Sequence, residues 1–202
     1  MQIRTKNGRV AFPFSVQINS VNGKMDDGAI HIERFLSDLV SIFADPDAAE
    51  DFLRRNADTL IYEVYEKDIP EVNGEVRFCS SITYPGKIGN EYFMTKGHFH
   101  SRPDTAEIYY CIRGRGYMLM EKKDGEHVLE EMLPGTVIYV PGYYAHRSIN
   151  IGDEPLISLP VYPGDAGHDY GTMEERGFKH LIVEKNGKPV VIENPRYGRM
   201  GR

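Results

Sequence analysis

Two imidazoles and a carboxylate stand close together in the middle of the chain: His98-Phe99-His100, followed by Glu107. In extended backbone, residues two apart point to the same face, so His98 and His100 present paired imidazoles while Phe99 faces the other way. Glu107 opens an apolar run, Glu107 to Ile112, that reads as the return strand of a hairpin bringing a carboxylate opposite the pair. His146 stands where a later strand begins and supplies another imidazole. Imidazole nitrogen and carboxylate oxygen are the usual ligands of first-row divalent metals. His98, His100, Glu107 and His146 are therefore expected to hold one such ion inside a small β-barrel. Three imidazoles and one carboxylate leave two octahedral positions open, and a metal with open positions is an electrophile for substrate oxygens.

The elements that must place these groups are mostly strands. From Ile32 the period looks helical, with Ile32, Phe35, Leu36, Leu39, Val40 and Phe43 on one apolar stripe. Asp45-Pro46 has the form of an N-cap followed by proline at the first helical position, which starts a second helix through Asn56 that buries Phe52 and Leu53. After Asn56 the period changes to that of strands. Leu60 to Glu66, Val76 to Tyr84, Tyr92 to His100, Glu107 to Ile112, Gly116 to Lys122, His127 to Met132, Thr136 to Val140, His146 to Ile151 and Leu156 to Tyr162 are all candidates. Asn73-Gly74, Pro85-Gly86, Asp124-Gly125, Pro134-Gly135, Pro141-Gly142 and Gly152-Asp153 punctuate them. A last hairpin is expected around Asn186-Gly187, and the basic end at Arg196, Arg199 and Arg202 is assigned to solvent. The expected architecture is all-β, with two N-terminal helices packed against the sheet. One domain spans 1–202: leader and helices over 1–57, barrel core over 58–165, C-terminal strands and tail over 166–202.

Composition excludes several classes. The chain has 202 residues and a formal charge of −6, with no basic run that could track a phosphate backbone, so nucleic acid is not an expected partner. Cys79 and Cys111 lie apart in apolar runs, which reads as buried thiols in a reducing compartment. Residues 1–19 lack the continuous apolar core of a signal peptide and no run reaches the length of a membrane span; a cytoplasmic location with no membrane partner is expected. The loop-rich leader is expected to pack on a sheet or a neighbouring subunit, and apolar surface on leader and helices points to a homodimer.

With these residues placed, the sequence resembles the cupin superfamily, whose two motifs lie on neighbouring strands of a jelly-roll barrel. The first motif is His98-x-His100, Glu107 and Gly114; the second is Gly135, Pro141, His146 and Asn150. Two departures stand out: six residues separate His100 from Glu107, more than in the general pattern, and Tyr143 stands where glycine is usual. The longer insert resembles the cupin-type glucose-6-phosphate isomerases. So do Tyr84-Pro85-Gly86-Lys87, Thr95-Lys96-Gly97-His98-Phe99-His100, the Pro134 to Pro141 run, Ala145-His146-Arg147 and Asp165-Ala166-Gly167-His168-Asp169-Tyr170-Gly171.

That resemblance implies interconversion of glucose 6-phosphate and fructose 6-phosphate, a small-molecule sugar phosphate as partner, and Fe(2+) as the metal, with Ni(2+), Mn(2+) or Zn(2+) as substitutes. The reaction moves one hydrogen between C2 and C1 and needs a base, an electrophile and a phosphate anchor. Glu107 is the candidate base as well as a ligand, two roles that compete because a metal-bound carboxylate loses basicity. Tyr162 and His168 are further catalytic candidates, with Tyr170 at the mouth of the pocket. Tyr62, Ser81, Thr95, Gly97 and Tyr109 are expected on the substrate, with little help from arginine; Lys87 and Lys96 are further sources of charge. His31, His127 and His180 carry no motif and read as surface residues. A cupin dioxygenase using the same ligand set and a non-catalytic sugar-binding barrel are the competing readings.

Overall fold

A computed structural model describes residues 8–10, 12–25 and 29–199. Its first layer is a six-stranded antiparallel sheet. In spatial order it contains β1 (Ile30–Phe35), β2 (Leu60–Glu66), β3 (Val76–Thr83), β11 (Leu156–Pro163), β6 (Glu107–Arg113) and β9 (Val137–Val140). The second layer is made of β10 (Ala145–Asn150), β7 (Gly116–Glu121) and β8 (His127–Met132), and of β13 (Lys188–Glu193), β12 (His180–Lys185), β5 (Glu91–Tyr92) and β4 (Lys87–Ile88). The segment after β5 joins these two parts, because Met94 bridges Ile149 and His98 bridges His146. This two-layered, mostly β architecture is the fold class that the resemblance implied.

Alternation explains which side chains meet between the layers. Along β6, Glu107, Tyr109 and Cys111 are buried while Ile108 and Tyr110 face outward. Tyr109, Cys111, Ile138, Val140 and Leu156 pack on Met118, Met120 and Met132 from the other layer. All of β10 is buried because both its faces are covered. His146 and Ser148 face the space between the layers. Ala145 and Ile149 enter a second core with Leu36, Leu39, Phe43, Ala49 and Phe178. Each such large apolar side chain contributes about 1.5–3 kcal/mol by leaving water.

Local signals account for most boundaries. Asp45 accepts a hydrogen bond from Ala48 N at 2.9 Å and caps α1 (Pro46–Arg55), as its sequence predicts. Asn186 and Gly187 both have positive φ, 55° and 71°, the backbone of a tight hairpin turn between β12 and β13. The leader packs on the first sheet, with Val16, Ile18 and Met25 against Tyr65, Ile82 and Ile157.

Four expectations need correction. The helix predicted from Ile32 begins later and more tightly: Ile32 to Phe35 belong to β1, and only Leu36–Asp38 and Val40–Ile42 are helical, as single 3-10 turns. Pairing with β2 outweighs the helical period there. The strand predicted over Tyr92 to His100 keeps regular ladder pairing only at Glu91–Tyr92, since Gly97 turns the chain with φ 75°. A short helix, α2 (Gly171–Arg176), follows the Asp165 to Tyr170 segment where none was predicted. Of the basic end, Arg196 is partly buried and donates to Ser41 O and Phe43 O, while Arg199 is exposed. Arg202 lies outside the described residues.

Candidate active site

The four predicted ligands converge. One ligand atom from each of His98, His100, Glu107 and His146 lies within 4.8 Å of all the others. His98 and His146 are backbone partners on neighbouring segments, with reciprocal N–H to C=O bonds of 3.3 and 3.1 Å. Glu107 does not arrive by a hairpin, as the sequence suggested. Its strand pairs with β9 and β11, so the carboxylate reaches the imidazoles from the opposite layer, with Oε2 3.1 Å from His100 Nε2 and 2.9 Å from His146 Nε2.

Hydrogen bonding at the far side of the rings fixes what faces the centre. The Thr105 hydroxyl donates to Arg102 O at 2.6 Å, so toward His100 Nδ1 it is an acceptor at 2.8 Å, as is Thr105 O at 3.1 Å. His100 Nδ1 therefore donates to Thr105, and Nε2 is the nitrogen turned inward. His146 Nδ1 likewise donates to Tyr144 O at 3.4 Å. His146 Nε2 and His98 Nε2 are buried without a hydrogen-bond partner. Burial holds His98 well below the usual imidazole pKa, that is, neutral. Burial would raise the Glu107 carboxyl, but the His146 and His100 imidazoles outweigh that and hold it well below the usual carboxylate range. Three ring nitrogens and an ionised carboxylate thus converge within 4.8 Å of one another, and this N/O donor set suits a divalent metal in place of the protons they otherwise share.

This cluster forms one wall of a cavity of about 290 Å³. The predicted Tyr62, Ser81, Thr95, Gly97, Tyr109, Tyr162, His168 and Tyr170 all line it. The His168 ring lies 4.5 Å from that of His98 and stacks on Tyr170 at 5.6 Å. Burial lowers the His168 pKa, so this imidazole is neutral. Tyr109 hydrogen-bonds Glu107, and burial raises its hydroxyl pKa well above the usual range; burial also raises Tyr62, Tyr162 and Tyr170, so these phenols stay protonated donors. Thr95 Oγ1 accepts from Ser148 N at 3.1 Å, which leaves its own proton for the cavity.

The loop that carries Thr95 to His98 is held from behind. A Cβ at Gly97 would lie 2.6 Å from Phe178 Cε2 and 3.0 Å from Arg147 Cβ, so only glycine fits. Arg147, itself buried, donates to Lys96 O at 2.8 Å and stacks 4.0 Å over Phe178. In the second motif Tyr143 has φ 69°, the left-handed backbone that glycine adopts freely, which explains why glycine is usual there. Asn150 closes that motif by donating to Thr83 O and Glu154 O, both at 2.8 Å.

Several residues stand elsewhere than the sequence suggested. Lys87 pairs with Glu184 at 2.6 Å and lines a different cavity. His180 is buried against Glu121 at 3.0 Å and is no surface residue; exposed His127 stacks on it at 3.7 Å. His31 is exposed, as expected, and binds Glu63 at 2.6 Å. Arg34, Arg77 and Glu66 line the main cavity and were missed. Arg34 was hidden by the helical reading of its segment. The strand pairing Arg34 to Tyr62, once recognised, would have placed it.

A family model described as Glucose-6-phosphate isomerase (GPI) matches residues 33–197. The glucose-6-phosphate isomerase of Thermococcus litoralis is 46% identical over 185 residues, which are 92% of this chain and 96% of that protein. That of Sinorhizobium medicae is 38% identical over 177 residues, 87% and 82% of the two chains. Among solved structures, the Lactobacillus farciminis oxalate decarboxylase formate complex superposes with a TM-score of 0.42 and 21% identity, over 54% of this chain and 30% of that one. The extent of the family match, together with the high coverage of both relatives, shows that the chain belongs to the glucose-6-phosphate isomerase family.

Proposed function

We propose that this chain interconverts D-glucose 6-phosphate and D-fructose 6-phosphate with the aid of one divalent metal, in the cytoplasm. The observation that carries this reading is a single cavity with a buried cation site of three imidazoles and a carboxylate on one wall and hydroxyl, amide and cationic donors on another. Family membership supports the same activity.

His98, His100, Glu107 and His146 would hold the metal, which when bound supplies an electrophile for the adjacent carbonyl and hydroxyl oxygens of the sugar. The ion is proposed to be Fe(2+), with Ni(2+), Mn(2+) and Zn(2+) as substitutes. Glu107, kept ionised far below neutral pH, is better suited to bind than to take a proton. Neutral His168, ring to ring with His98, has a free lone pair for the hydrogen that moves between C2 and C1. Tyr162 lies against His168 at 5.5 Å, edge to face, and restrains the ring. Ser81, Thr95 and Gly97 would receive the rest of the sugar phosphate. A coupled assay of fructose 6-phosphate conversion tests the whole reading. Activity should vanish with chelator and return on metal add-back, Fe(2+) restoring most, and a fully metallated protein without turnover would refute it.

A homodimer is part of the same proposal, and the leader keeps Phe12, Phe14 and Val21 exposed in support of it. The described part of the leader and the helices pack on the chain's own sheets. The outer face of β6 and edge strand β9 also exposes Ile108, Tyr110, Val137 and Tyr139 as cross-strand pairs. Contiguous apolar surface of this kind marks protein–protein contact. Light scattering at micromolar concentration should give twice the 23.0 kDa chain mass. Tyr139→Lys should shift the mass toward the single chain, and a monomeric native protein would refute the dimer.

A further inference from the structure

Three cationic side chains line the cavity, and they differ in what already neutralises them. Arg77 contacts Glu71 and lies 3.2 Å from Glu66. Lys96 pairs with Glu174. Arg34, among the described residues, has no carboxylate within salt-bridge reach; its guanidinium donates from Nη1 to Glu33 O at 2.9 Å and hydrogen-bonds the Tyr62 hydroxyl. The remaining N–H groups of its planar fork are available to a ligand.

Its position follows from the sheet. Pairing of β1 with β2 sets Arg34 opposite Tyr62, whose hydroxyl stands beside the guanidinium on one side and the Lys96 backbone on the other. Lys96 is two residues from His98, a span of at most about 7 Å. The cavity therefore runs from the imidazole cluster, past the Lys96 backbone and the Tyr62 hydroxyl, to an arginine without a counter-ion. The chain as a whole carries a formal charge of −6, which repels a phosphorylated ligand. An unneutralised guanidinium inside the cavity reverses that repulsion locally and matches phosphate geometry with two parallel N–H bonds.

We infer that Arg34 binds the phosphate of the substrate and selects phosphorylated over neutral sugars, an inference that rests on the isomerase reading above. It also replaces the expectation that arginine contributes little. Lys96 and Arg77 act mainly within their ion pairs, while Thr95, Ser81 and Tyr62 orient the same group as neutral donors.

The test uses the metallated full chain, with Arg34→Met to keep the apolar stem and Arg34→Lys to keep the charge. Fructose 6-phosphate kinetics are measured together with inhibition by a five-carbon sugar acid with and without its phosphate. Arg34→Met should raise KM by about 10- to 100-fold, with kcat changed by no more than a few-fold, as expected for loss of a charge-assisted hydrogen bond. The phosphorylated acid should weaken by the same factor and the unphosphorylated acid should not weaken at all, with Arg34→Lys recovering most of the loss. Equal weakening of both acids, or of neither, overturns the assignment. If the native protein fails to convert fructose 6-phosphate, the isomerase reading falls. The selectivity of Arg34 for the phosphorylated acid then stands or falls separately by its binding.

Discussion

Replacing any one of His98, His100, Glu107 or His146 by alanine should strip the metal and abolish turnover together. All four side chains aim at one point. Loss of an outer partner of a metal ligand typically costs about 10- to 100-fold in affinity, so loss of the ligand itself costs more. Thr105→Val provides the graded control, because it removes one of the two acceptors on His100 Nδ1 and keeps the other. Metal affinity should fall by about 10-fold there, and by far more in the ligand variants. Full metal occupancy by elemental analysis in all four alanine variants would sink the assignment.

Two further substitutions separate binding from proton transfer. Glu107→Gln keeps a ligand oxygen and removes the charge that the His146 and His100 imidazoles hold in place. His168→Gln touches no ligand atom of the cluster and removes the neutral imidazole beside His98. If His168 moves the proton, its variant should keep the metal and lose kcat, whereas Glu107→Gln should lose metal and kcat in proportion. Near-normal turnover in metallated His168→Gln would return the base to Glu107.

The parts of this molecule that were legible in the sequence are those governed by local rules. Gly116 to Glu121, His127 to Met132 and Leu60 to Glu66 are strands bounded by turn residues, and their limits fall within a residue of expectation. The His-x-His pair and His146 were legible because residue type and spacing are intrinsic to the chain. How Glu107 reaches them was not, since strand order in a jelly roll is set by the packing of two layers, and β6 pairs with β9 and β11 rather than with its predecessor. Arg34 shows the cost of one wrong period. The apolar positions Ile32, Phe35 and Leu36 fit a helix as well as a strand running into a 3-10 turn, and only the β2 partner decides between them. Glu121 and His180 were invisible for the opposite reason: polar residues read as surface until long-range partners bury them.

Glu121→Gln should be the most destabilising change outside the metal cluster. The carboxylate is fully buried and accepts from Lys179 N at 2.9 Å, His180 N at 3.1 Å and Arg176 Nη2 at 3.0 Å, so it clamps the end of α2 and the start of β12 to β7. The clamped segment includes Phe178, which underlies Gly97 and supports Arg147, and so backs the loop that carries Thr95 to His98. Glutamine keeps the shape but turns an NH₂ toward donors and leaves the Arg176 charge uncompensated. Removing one partner from such a buried charged network costs about 3–5 kcal/mol. At roughly 2–4 °C per kcal/mol for a chain of this length, the melting midpoint should drop by about 6–20 °C. The double variant with Arg176→Met should cost less than the sum of the two single changes, because each single change leaves the other group unpaired. Midpoints within about 2 °C of the native protein, or strict additivity in the double variant, would show that this carboxylate does not hold the segment.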